Sequence, residues 1–187
     1  MVGLPKLDGI FQGRYADRAG FLSSRGLDTA KPTVLFAPTY KPTCMYDVKD
    51  VVFEATKDRC NLVVKLHHYS WMGKYAPHEQ HRIFERRVRQ YPHATLVPME
   101  EYNIVPWMAA ADTLLSEASS TVFDFLALGK TGIIYDLPGD PHFGPADALH
   151  HEPHQDPPEG RAAERGDASA RNRLRGSSRP TAKARAT

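Results

Sequence analysis

The segment LLSEASSTVFDFLALGK, residues 114–130, decides how this chain is read. An apolar run ends in a small polar cluster, and an amphipathic helix pattern opens at once on the adjacent Ser119 and Ser120. A buried strand that hands over to a helix in this way is one half of a β-α unit. The serines at the junction have two uses. At a helix N-terminus several backbone N–H groups lack partners, and the aligned peptide dipoles add positive potential. A serine hydroxyl can cap that end, and TVFD (121–124) matches a loose capping-box pattern. The same N–H groups and two hydroxyls can instead accept a phosphate. From this segment alone both uses stay open, and they do not exclude each other.

Working outward, the same alternation recurs. TVLFAPTY (33–40) is a short apolar run closed by Pro38, which predicts a buried strand followed by a loop. CNLVVKLHH (60–68), ATLVPM (94–99), TLLSE (113–117) and TGIIYDL (131–137) read as four more strands. Between them, MYDVKDVVFEATKD (45–58) carries apolar residues at helical spacing, and PHEQHRIFERRVRQY (77–91) is a charged helix opened by Pro77. YNIVPWMAAAD (102–112) is a short helix with Pro106 in its first turn, and STVFDFLALG (120–129) is a helix stopped by Gly129. Strands separated by helices predict an α/β fold, a Rossmann-like, doubly wound parallel sheet with helices on both faces. Ligands in such sheets sit beyond the carboxyl ends of the strands.

Polar groups gather at those ends. His67 and His68 follow the second strand, and strict alternation would turn them to opposite faces, so only one is expected in the cleft. An imidazolium there could bond a pyrophosphate and stabilise charge on a departing phosphate. Lys65, two residues earlier, shares the face of His67 and offers a second cation. Each of these has an ordinary alternative as a solvated residue at a strand end.

Composition narrows the classes. A net charge of +2 over 187 residues argues against a general nucleic-acid binder. The two cysteines, Cys44 and Cys60, have no ligand spacing and fit a reducing cytoplasm. No signal peptide and no apolar run of about 20 residues is present, so membrane contact is expected to be peripheral. His78 and His81 lack a third ligand, and HHEPH (150–154) lies in a segment of tail-like composition, so no metal site is expected. After Pro138 the chain becomes rich in Pro, Gly, Ala, Arg and His. Two regions are therefore expected, an ordered domain over 1–138 and a disordered, low-complexity tail over 139–187.

Four segments together carry a resemblance: VGLPKLDGIF (2–11), KPTVLFAPTYK (31–41), NLVVKLHHY (61–69) and AADTLLSEASSTVFDFLALGKTGIIYD (110–136). In this order they resemble the CDP-glycerol glycerophosphotransferase family, which includes teichoic acid primases and polymerases. The resemblance implies the C-terminal, donor-binding half of a GT-B fold. It implies transfer of glycerol phosphate from CDP-glycerol, a CDP-activated alcohol donor, to a hydroxyl of a polyol phosphate or lipid-linked acceptor, with release of CMP. It implies that His67 assists at the donor phosphates, that Pro38 and Thr39 shape the loop over the donor, and that Ser119 and Ser120 receive the pyrophosphate, with Lys65 beside them. No metal and no cofactor is implied, CDP-glycerol being a substrate. The place implied is the cytoplasm, at the inner face of the cell membrane.

The chain departs from the family pattern in Glu117 and Ala118, where Asp-Tyr is common, and in Lys65, where Arg is frequent. Lysine lacks the two-pronged fork of arginine. These departures leave the donor alcohol open and keep a UDP-sugar-dependent GT-B glycosyltransferase or epimerase as the alternative. A third expectation is a non-catalytic, truncated nucleotide-binding fragment. It follows from the absence, against the family pattern, of the N-terminal half of the cleft, which should carry the acceptor surface and the base, and from the compositional break after Leu137, which suggests a frameshift or a rebuilt terminus.

Overall fold

Apolar runs bounded by turn residues become strands here, and the inner ones find cover on both faces. The computed structural model describes residues 5–72 and 79–137. Its strands are β1 (Thr33–Phe36), β2 (Asn61–Val64), β3 (Ala94–Leu96), β4 (Thr113–Ser116) and β5 (Thr131–Ile134). They form one sheet in the order β3-β2-β1-β4-β5, every neighbouring pair parallel. The helices are α1 (Asp8–Phe11), α2 (Arg18–Ser23), α3 (Met45–Val48), α4 (Val51–Thr56), α5 (Gln80–Val88), α6 (Val105–Ala110) and α7 (Ser120–Leu126).

Alternation along the strands divides the core in two. Leu35, Val63 and Leu114 pack with Leu22 of α2, Trp107 and Met108 of α6, and Val122 and Phe125 of α7. Phe36, Leu62 and Val64 pack on the other face with Met45, Phe53 and Phe84, from α3, α4 and α5. The sheet is thus doubly wound, as the alternating pattern predicts. All four residues of β2 are buried, whereas the edge strand β5 leaves Ile133 and Ile134 exposed.

The elements are shorter than their sequence patterns. Each strand stops where its partner's ladder stops, so β2 ends at Val64 rather than running to His68. The helix expected over 45–58 is two, with Lys49 and Asp50 in a turn between α3 and α4. Of Val48, Val51, Val52 and Ala55, the apolar residues that helical spacing puts on one face, only Val48 and Val52 reach the core, beside Met45 and Phe53, while Val51 and Ala55 are exposed because the break at Lys49–Asp50 turns α4 relative to α3. Pro106 lies in the first turn of α6, and Gly129, at φ 70°, supplies the left-handed turn that follows α7. The expectations for Pro77, His78, the HHEPH run and segment 139–187 fall outside the described residues. Among the described residues no helix is long and apolar enough to cross a membrane.

Lys130 closes α6 from a distance. Its amine donates to the carbonyls of Met108 at 2.9 Å, Ala109 at 2.7 Å and Ala111 at 2.7 Å. A cation there satisfies end carbonyls and opposes the negative end of the helix dipole. Lys130→Met is expected to lower the unfolding free energy by about 2 kcal/mol, read from urea denaturation. A change below about 0.5 kcal/mol would show the contact to be no better than a surface pair.

Candidate nucleotide-donor site

The crossovers after β1 and β4 leave the sheet toward opposite faces. Their carboxyl ends therefore part, and a crevice opens between them, the place where a doubly wound sheet takes its ligand. A cavity of about 180 Å³ lies there, walled by the loops that follow β1, β2, β3 and β4. Pro38, Thr39, Lys65, His67 and Ser119, all singled out in the sequence, line it together. Ser120 does not line it; it is exposed, as the first residue of α7. A larger groove, about 560 Å³, runs along the β3 edge past Trp71 and Leu96. It mixes Glu85 and Glu100 with Arg89 and lies at the sheet edge, so size alone does not make it the better site for a nucleotide.

Ser119 has the extended backbone of an N-cap, φ −152° and ψ 144°, and its hydroxyl oxygen accepts from the Thr121 N–H at 3.1 Å. Capping is thus in place, and the hydroxyl proton remains free to donate elsewhere. The capping box suggested by TVFD does not form: with Ser119 as the cap, Asp124 falls outside the third helical position and pairs with Lys6 instead.

The two histidines do not follow strand alternation, because the strand has already ended. His67 is extended, at φ −61° and ψ 143°, and opens a 3-10 turn over His68–Ser70. Both imidazoles line the cavity, their centroids 4.4 Å apart. His67 Nδ1 accepts from the Tyr69 N–H at 3.2 Å, which leaves the ring proton of the neutral form on Nε2. Tyr40 stacks on the ring with centroids 5.0 Å apart. Burial, then the neighbouring His68 and Lys65, push the pKa of His67 below the usual histidine value. The imidazolium expected from the sequence is therefore disfavoured here. Burial likewise lowers the pKa of Lys65, against a smaller opposite pull from Glu101.

Three contributors escaped the sequence reading. Strand alternation admits only one of His67 and His68 to the cleft, whereas both line it. Tyr102, 67% exposed, carries an aromatic ring to the rim from the loop after β3. Glu117, 1% exposed, is buried directly behind the Pro38–Thr39 loop. An acid closing an apolar run was the available signal for Glu117. Among the described residues no group of three or more His, Cys, Asp or Glu side chains is arranged to hold a metal ion.

Residues 1–138 match the family described as CDP-Glycerol:Poly(glycerophosphate) glycerophosphotransferase. The chain belongs to this family. Among solved structures, this glycerophosphotransferase-family chain is similar to the wall teichoic acid polymerase TagF. A histidine-to-asparagine form of TagF soaked with CDPG for 15 minutes gives a TM-score of 0.51 at 17% identity, covering 72% of this chain and 31% of that one. A second TagF structure gives 0.50 at 16% identity, covering 71% and 31%. At this identity the likeness shows the fold, a Rossmann-like α/β domain of GT-B type. The family member described here spans about a third, 31%, of the TagF chain. No curated protein matches it.

Proposed function

We propose that this chain is the donor-binding domain of a CDP-glycerol glycerophosphotransferase. The observation that carries the reading is the convergence of Lys65, His67, His68 and Ser119 on one cavity at the β1/β4 switch point. Family membership supports the choice of CDP-glycerol as the donor.

On this reading the donor's diphosphate lies against these side chains. Lys65 supplies a fixed cation, and the His67 Nε2–H donates to a phosphate oxygen. The Ser119 hydroxyl donates to another while still capping α7, and Pro38 and Thr39 form the wall beside them. An acceptor hydroxyl attacks the glycerol-bearing phosphorus, and the bond from that phosphorus to the bridging oxygen breaks. CMP departs with the electron pair, and the proton of the attacking hydroxyl is released to solvent. The cations and hydroxyl stabilise charge that grows on the leaving phosphate, which is the main contribution such a transfer asks of a protein. The acceptor is a polyol phosphate or lipid-linked chain of the cell envelope, met in the cytoplasm at the membrane's inner face by peripheral contact. No resident metal or cofactor enters this scheme.

Titration of the chain with CDP-glycerol, with UDP as competitor, tests the proposal. The pH dependence makes the test specific. Free His67 has a lowered pKa, and a bound diphosphate raises it, so binding takes up a proton between the two values. Affinity for CDP-glycerol, whose phosphodiesters do not titrate in this range, should rise as pH falls from about 8 to about 6. The rise should flatten in His67→Gln. No binding at any pH in this window, or UDP outcompeting CDP, would refute the assignment.

A further inference from the structure

Glu117 is the most deeply buried carboxyl among the described residues, and it does not line the cavity. We propose that Glu117 is a positioning residue that holds the loop after β1 in the shape the donor's phosphates meet. The proposal rests on the reading of the cavity as the CDP site, and it assigns to Glu117 no contact with the donor.

The contacts are distributed in a particular way. One carboxyl oxygen accepts from the Thr39 N–H at 2.9 Å and from the Cys44 N–H at 3.3 Å. The other accepts from the Cys44 thiol at 3.1 Å. The Thr39 hydroxyl stands 3.0 Å from the first oxygen and also contacts the Pro42 carbonyl, and its single proton serves one of the two. Every donor thus comes from the two ends of one segment, 39–44. Between those ends lies Tyr40, whose ring stacks on His67 and whose carbonyl accepts from the Gln80 amide at 3.0 Å. One residue earlier on β4, the Ser116 hydroxyl donates to the Ala37 carbonyl at 2.7 Å. The end of β4 therefore grips the loop after β1 at Ala37, Thr39 and Cys44, across the opening where the ligand site lies.

A buried carboxyl is costly unless its oxygens are satisfied. Here they are satisfied only while segment 39–44 keeps this path, so the acid and the loop conformation depend on each other. Burial, and then the charge of Glu117, push the Cys44 thiol far above its usual range, so it remains a donor. The consequence reaches the site twice, through Thr39 in the cavity wall and through Tyr40 against the His67 ring.

Glu117→Gln in the full 187-residue chain tests this. It keeps the side-chain shape but turns an amide N–H toward groups that are themselves donors. The expected result is CDP affinity lowered by about tenfold or more, faster amide hydrogen exchange at Thr39 and Cys44, and unchanged protection in β1 and β2. Glu117→Asp, which keeps the acceptor oxygens, should recover part of the affinity. A folded Gln variant that is less heat-stable yet binds CDP like the wild type would overturn the proposal, since a purely structural acid behaves that way. Should the Gln variant fail to fold, the wild-type exchange decides: Thr39 and Cys44 amides must be protected like that of Phe36, and exchange at exposed-loop rates overturns the idea. A wild-type chain that binds no CDP would defeat the donor reading, while exchange at Thr39 and Cys44 would still show whether Glu117 holds the loop.

Discussion

Replacing Lys65 with methionine is expected to weaken CDP binding by about 10- to 100-fold, with little loss of stability. A charge-assisted hydrogen bond contributes about 1.5–3 kcal/mol, and each 1.4 kcal/mol is about tenfold in affinity. Lys65 follows β2 directly and lines the cavity, where burial already disfavours its charged form. A cation held against that cost is only weakly screened by salt, unlike one on an open surface. Methionine keeps most of the apolar stem, so the change isolates the ammonium. Calorimetric titration at constant ionic strength checks it. If Lys65 were merely a solvated charge at a strand end, the loss would be about threefold or less. Ser119→Ala in the same background should add to the loss in affinity and also destabilise α7, because its hydroxyl caps that helix.

The second large effect concerns the fold. Phe84→Ala is expected to cost about 3–5 kcal/mol, a large share of the roughly 5–15 kcal/mol that holds a domain together. Phe84 is fully buried and presents its ring to Phe36 of β1 at 5.9 Å and to Phe53 of α4 at 6.3 Å between centroids. It is the side chain through which the heavily charged α5 reaches the core, beside the half-buried Ile83 and Val88. Truncation leaves a void at the junction of one strand and two helices, which cannot close from all sides. Urea denaturation measures the result, and a loss below about 1.5 kcal/mol would mean that α5 docks without needing this ring.

How much of this was legible beforehand varies by residue, for physical reasons. VLF, LVV and TLL announce parallel strands because both faces of such strands are buried and the apolar run is continuous. Their ends are not announced. Leu66 extends the apolar pattern past β2, and only the end of the ladder with β1 shows that His67 is already in a turn. Alternation therefore no longer separates His67 from His68. The short helices α1 and α2, four and six residues long, carry too little periodicity to read. Ser119 and Ser120 are equivalent on paper; the backbone makes one the cap and cavity wall and turns the other to solvent. Glu117 shows in the sequence as an acid closing an apolar run and as a departure from the family pattern, but an acid at a strand end normally reads as a solvated turn residue.

The cavity draws its walls from four connections that lie far apart along the chain, near positions 38, 67, 102 and 119. No excised peptide can reproduce it, so antibodies or inhibitors selected against linear fragments should miss it. The same dispersion makes the pieces separately editable. One connection can be exchanged for that of a homologue to change the lining of the cavity, while the strands beneath keep their sequence.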